Sequence, residues 1–72
     1  MSIWSEEYKA IRERLKKARL AAGLKQTDVA KLLKRPQSYI SDCESGEKKL
    51  DVLELQEFAK LYKKSVSYFI KF

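Results

Sequence analysis

Residues 24–50 read "LKQTDVAKLLKRPQSYISDCESGEKKL", and two short segments of helical periodicity lie within this stretch, parted by three residues. The first spans about 26–33: Val29, Ala30 and Leu33 share one side, and Asp28 falls in the opening turn, where a carboxylate meets the positive end of the helix dipole. The tripeptide "KRP" follows at 34–36. Proline is tolerated in a first helical turn because its missing N–H is not needed there, and its ring pushes Arg35 toward the extended geometry of a cap. The second segment therefore spans about 36–44, with Gly46 just beyond it. Two short helices joined by so tight a turn describe a helix-turn-helix, although any small helical bundle also contains consecutive helices with short turns.

Outward from this pair, the rest of the chain is helical as well. Tyr8, Ile11, Leu15, Ala18 and Ala22 alternate steps of three and four, which predicts a helix over 6–22 with Ser5 as its cap, Glu6 and Glu7 in its first turn and Gly23 as its left-handed stop. After the polar loop 45–50, Asp51 is placed to cap a helix over 52–63 with a core stripe of Leu55, Phe58, Ala59 and Tyr62. Ser65 is placed to cap a last helix over 66–71, turning Val66, Phe69 and Ile70 inward. With 44% hydrophobic residues, two glycines and one proline in 72 residues, the expected fold is all-α: one compact five-helix bundle with no room for a second core.

The chain carries sixteen basic and ten acidic residues, a formal charge of +6, and its isoelectric point of 9.6 exceeds the value of about 9 that marks a nucleic-acid candidate. Charge alone also admits anionic membranes and acidic proteins as partners. Cys43 is the single cysteine and histidine is absent, so an internal disulfide and the ordinary zinc-ligand sets are excluded, and no metal or cofactor is expected. Without histidine, a glycine-rich phosphate loop or evidently buried paired carboxylates, an enzyme is not expected either. No apolar run approaches the roughly 20 residues of a membrane span, and "MSIWSEEYK" lacks the layout of a signal peptide, so the expected setting is the cytoplasm, with no membrane partner.

From Ile11 to Ile70 the chain resembles the phage repressor and Cro-like helix-turn-helix family, also called the XRE family. The resemblance rests on "RLAAGLKQ" at 19–26, on "QSYIS" with the following Glu44 and Gly46, and on "LQEFAKLY" with Ser65 and Val66. It implies a lambda-repressor-like bundle that binds double-stranded DNA, in which Gln37 meets a base edge with Ser38, Ser41 and Asp42 next along the reading face. A glutamine amide offers donor and acceptor together to adenine, and serine hydroxyls suit bases or phosphates. The resemblance further implies backbone contacts from Gln26 at the start of the second helix, from Tyr39, and from Ser45, Lys48 and Lys49 toward the second strand. Lys25 and Arg35 join this set. For Tyr39, an aromatic packed on the rim against the second helix is an equal alternative, since tyrosine buries its ring and keeps its hydroxyl wet.

Two acids in the reading helix conflict with a polyanionic target until their directions are separated. At about 100° per residue from Ile40, Cys43 lies at about 300° and Glu44 at about 40°, whereas Ser38 at about 160° and Asp42 at about 200° point away from the core. The family match pairs Glu44 with Arg19 of the first helix, a fork that fixes the angle between the two helices and leaves a guanidinium N–H for phosphate. Asp42 has three readings: acceptor from cytosine N4, water-bridged or neutral exposure, or no base contact because docking differs. Cys43 reads as a small core filler. The chain departs from the family at Lys34 and Lys63, where glycine is usual. A left-handed lysine costs about 1 kcal/mol, so differently shaped turns are expected there, with Lys34 and Arg35 adding phosphate contacts.

Family members commonly dimerise on a two-fold operator through the last helix, and Tyr68, Phe69, Ile70 and Phe72 supply the corresponding surface, unless they close the monomer core instead. The rival reading is a protein-interaction module, such as an antitoxin-like partner, that binds a second protein through the same aromatics. The leading expectation is a sequence-specific transcriptional regulator acting as a repressor.

Overall fold

The computed structural model describes residues 4–70. A π-helical turn, Trp4–Tyr8, runs into α1 (Lys9–Ala21), followed by α2 (Gln26–Leu33), α3 (Gln37–Ser45), α4 (Val52–Tyr62) and α5 (Val66–Phe69). No strand occurs among the described residues, and the molecule is all-α. The helix expected over 6–22 is divided between the π-helical turn, which contains Ser5 in its backbone, and α1, which starts at Lys9 and ends at Ala21. Ala22, assigned to the apolar stripe, is exposed at the helix end, while Leu15 and Ala18 carry the burial.

Every α-helix delivers side chains to one core. Leu15 and Ala18 come from α1, Val29 and Ala30 from α2, Ile40 and Cys43 from α3, Leu55, Phe58, Ala59 and Tyr62 from α4, and Phe69 from α5. Phe58 is central, stacked on Tyr39 at 6.3 Å and on Tyr62 at 5.9 Å between ring centroids. Such ring pairs add about 0.5–1.5 kcal/mol each beyond the apolar area they bury. Cys43 is fully buried, and burial pushes its thiol up to about 11, which suits a packing role and not a reactive one.

The helix ends show why the chain turns where it does. After α1, the Gly23 N–H donates to Leu20 and the Leu24 N–H to Arg19, with Gly23 left-handed at φ 75°. Lys34 and Lys63 close α2 and α4 in the same manner at φ 57°, and the following residues, Arg35 and Lys64, donate to Ala30 and Ala59. The lysines thus take the glycine-like shape, contrary to the expectation of altered turns; satisfying the last helical carbonyls outweighs about 1 kcal/mol of backbone strain at each. Pro36 is the N-cap of α3 at φ −63°, ψ 152°, so this helix starts one residue later than its sequence suggests and ends one residue later, at Ser45. Asp51 caps α4 as expected, accepting from the Glu54 N–H at 2.8 Å while Glu54 accepts from the Asp51 N–H at 3.0 Å. Ser65 sits at the N-cap of α5, but its hydroxyl meets Ser67 and makes no cap hydrogen bond; α5 itself ends at Phe69.

Candidate nucleic-acid interface

Helix α3 sits across the bundle with Ile40 and Cys43 fully buried. Gln37 and Ser38 at its start are exposed, but Ser41 and Asp42 are half-buried, so the wet face narrows toward the C-terminal end of the helix. None of the ion pairs among the described residues involves Asp42. Its carbonyl has a structural task, accepting the N–H groups of Gly46 at 3.0 Å and Lys48 at 3.2 Å, which folds the following loop back over the helix end.

Glu44 occupies the buried side of α3. Its carboxylate accepts Arg19 Nε at 2.7 Å, Arg19 Nη2 at 3.2 Å and Gln26 Nε2 at 3.1 Å. The Arg19 and Glu44 side chains are only 8% and 5% exposed. The remaining guanidinium nitrogen, Nη1, donates to the Leu24 carbonyl at 2.9 Å, so Arg19 ties α1, the α1–α2 turn and α3 together and is turned inward, away from any phosphate. The chain of bonds continues outward: Gln37 Nε2 donates to Gln26 Oε1 at 3.4 Å. Gln26 therefore stands between the dry pair and the exposed glutamine that opens the reading face. The Tyr62 hydroxyl is buried beside this network without a hydrogen-bond partner among the described residues, and burial, reinforced by Glu44, pushes its pKa upward.

The other edge of α3 is built around Tyr39. Its ring stacks on Phe58 of α4, and its hydroxyl donates to Glu54 Oε2 at 3.1 Å, already engaged within the chain. Burial pushes the Tyr39 pKa well above its ordinary value, and the Glu54 carboxylate adds to this. Arg35 lies over the ring at 4.5 Å and Lys48 at 5.7 Å. Each cation also faces a carboxylate of α4: Lys48 reaches Glu54 at 3.1 Å and Arg35 reaches Glu57 at 3.7 Å.

Loop 46–50 is held from α1 and the turn before it. Arg12 Nη1 donates to the Ser45 carbonyl, the Tyr8 hydroxyl donates to the Lys48 carbonyl at 3.1 Å, and the Leu50 N–H donates to that hydroxyl. Gly46 adopts φ 94°, a left-handed conformation that favours glycine, and a Cβ there would displace the Arg12 guanidinium packed against it. The Ser45 hydroxyl turns back toward the Asp42 carbonyl, and Lys49 is exposed. Lys25, exposed, is the N-cap residue of α2, and its N–H donates to Asp28 at 2.8 Å.

Sequence reasoning missed Tyr8, Arg12 and Glu54 as members of this region. Tyr8 reads as one more apolar position and Arg12 carries no local signal; only tertiary contact shows both bracing the loop. Glu54 had a local signal, the Asp-x-x-Glu capping pattern, which identifies its bond to Asp51 but not those to Tyr39 and Lys48.

At the C-terminus, Phe69 is fully buried and cannot belong to a dimer surface; the Arg14 guanidinium holds its carbonyl at 3.0 Å. Tyr68 is half-buried edge-on to Phe69, with Lys64 over its ring at 4.8 Å, and Ile70 is half-buried. Phe72 lies outside the described residues. Among the described residues the exposed large hydrophobics are Leu20, Leu32, Val52 and Leu53, none of them aromatic or in α5.

A nine-residue helix with an exposed polar start, locked underneath by a buried carboxylate fork and edged by Arg35, Lys48 and Lys49, has the layout of a DNA-binding helix-turn-helix. The helix-turn-helix family model matches residues 15–69, and the chain belongs to this family, the XRE or Cro/repressor-like group of DNA-binding transcription regulators. Comparison with curated proteins and with solved structures found no match.

Proposed function

We propose that the protein is a sequence-specific repressor that reads the major groove of double-stranded DNA with α3. The observation that carries this reading is the bonded series from Arg19 through Glu44 and Gln26 to Gln37, which links a buried anchor to an exposed amide at the groove-facing end of the helix. Gln37 reads a base edge, with adenine N6 and N7 the fitting partners, and Ser38 follows it on the exposed face. Ser41 and Asp42 approach the groove at a shallower level. Gln26, Lys25, Arg35, Tyr39, Ser45, Lys48 and Lys49 position the duplex through its phosphates, the weakest case being Tyr39, whose hydroxyl is already bonded to Glu54.

We further propose a homodimer on a two-fold site, which would place two copies of α3 about 34 Å apart. With Phe69 in the core, the proposed surface is the half-buried Tyr68 and Ile70 together with Phe72, which lies outside the described residues, and sedimentation across a concentration series tests it. The cytoplasm is the proposed setting, and Cys43 as a free, buried thiol suits it. No helix among the described residues is long and apolar enough to cross a membrane.

Selection of preferred sites from random duplexes, with affinity measured over a salt series, tests the main proposal. Affinity should fall steeply with salt, and Gln37→Ala should relax preference at one base pair by about 1–3 kcal/mol. Asp42→Ala separates the roles of the acid: loss of preference at one position marks cytosine readout, and uniformly tighter binding marks a repeller. Binding indifferent to salt would overturn the proposal.

A further inference from the structure

Glu54 divides its two oxygens between two tasks. Oε1 accepts the Asp51 N–H at 3.0 Å and completes the cap of α4, whereas Oε2 accepts the Tyr39 hydroxyl at 3.1 Å and Lys48 Nζ at 3.1 Å. A cap alone would need only the first oxygen. Three residues further along the same helix, Glu57 faces Arg35. The two cations thus held, Arg35 and Lys48, precede and follow α3 in the chain, and both lie over the ring of Tyr39 within that helix. Helix α4 therefore places a carboxylate against each of two cations that border the reading helix.

We propose that Glu54 and Glu57 stand in for DNA phosphates in the free protein, holding Lys48 and Arg35 at the edge of α3 until the duplex backbone displaces them. The inference rests on the DNA-binding reading above and assigns these acids a task in that binding. Each phosphate contact made by Lys48 or Arg35 then replaces an existing pair and does not create a first one. The gain per contact is small, and it is equally small for every sequence, because phosphates carry no sequence information. Affinity for random DNA is held down, and retention on the duplex depends on the base contacts of Gln37 and Ser38. Glu54 is suited to the exchange because it does not leave with the lysine: the Asp51 N–H and the Tyr39 hydroxyl keep it in place when Lys48 turns outward. The Lys48 side chain is 36% exposed, so the turn outward is open to it.

The test measures affinity of the full chain for a mixed-sequence duplex at low and moderate salt. Glu54→Gln keeps the size and the hydrogen-bonding reach of the side chain but removes the charge, and should tighten binding by about threefold to fivefold at low salt, the range set by partly exposed ion pairs. The gain should disappear when Lys48→Ala is added. Glu57→Gln, at a more exposed pair, should gain at most about twofold and lose that gain with Arg35→Ala. Glu13→Gln, an exposed position of α1, makes the same change in net charge and should gain less than Glu54→Gln. Urea unfolding identifies any variant that fails to fold; the Glu57 pair carries the test if Glu54→Gln is one of them. A gain that persists without the paired cation, a Glu13→Gln gain as large as that at Glu54, or weaker binding by both glutamine variants would each overturn the inference. Wild-type protein that binds duplex while its variants match it overturns this inference alone, whereas wild-type protein that binds no duplex removes the DNA reading and the inference with it.

Discussion

Two glutamates, ten residues apart, each accept from three donor atoms, and the contrast between them explains how this small domain separates holding a helix from using it. Glu44 lies under α3 with its side chain 5% exposed and gathers Arg19 and Gln26; Glu54 lies at the rim, 14% exposed, and gathers Asp51, Tyr39 and a half-exposed Lys48. In the dry site bulk solvent does not compete for either ion, so the pair behaves as a fixed joint between α1 and α3. At the rim, water and phosphate compete for Lys48, so the pair is exchangeable. The bonding pattern is similar; burial decides whether it serves as scaffold or as adjustment.

The largest test of this contrast is Glu44→Ala. It strands a guanidinium that is itself buried and also frees Gln26, and should cost about 3–5 kcal/mol by urea unfolding, with little change between low and high salt. Glu54→Ala should cost less, about 0.5–2 kcal/mol, because what it removes is chiefly one half of a helix cap and a partly wet ion pair, and its cost should shrink as salt is added. Equal costs, or the same salt response at both positions, would break the distinction.

How far each site was legible follows from the same contrast. The five helices, the Asp51 cap and the stripe Leu55, Phe58, Ala59 and Tyr62 are local patterns of period and cap chemistry, which short sequence windows contain. The inward side of α3 followed from angle alone, because Ile40 fixes the direction of Cys43 and Glu44. The rim was not legible: Tyr8 and Arg12 meet residues 45–50 across 33 to 42 positions, Glu54 meets Tyr39 across 15, and the stacking of Tyr39 on Phe58 requires the packing of α4 against α3. For Phe69 the sequence offered both an inward position in the last helix and a place on a dimer surface, and its full burial selects the first.

The smallest effect is a pH dependence at the rim. Burial pushes the Glu54 carboxyl upward, but hydrogen bonds from the Asp51 N–H, Lys48 and Tyr39, together with the charge of Lys48, outweigh it and hold its pKa below the ordinary 4.5. A carboxyl depressed by folding contributes stability that is present above its unfolded value and is lost as pH falls through its folded value. The difference in urea midpoint between wild type and Glu54→Gln should therefore be constant at neutral pH and decline as pH falls below the ordinary 4.5 toward the lower folded value. Tyr39, raised from 10.0 chiefly by burial, has the opposite sign: its contribution is complete below that value and is lost as pH rises beyond it toward the folded pKa. Tyr39→Phe should accordingly flatten part of the alkaline decline and leave the unfolding penalty of Glu44→Ala unchanged. If the phenylalanine variant altered that penalty, the rim and the buried joint would be one coupled network, and the division between them would fail.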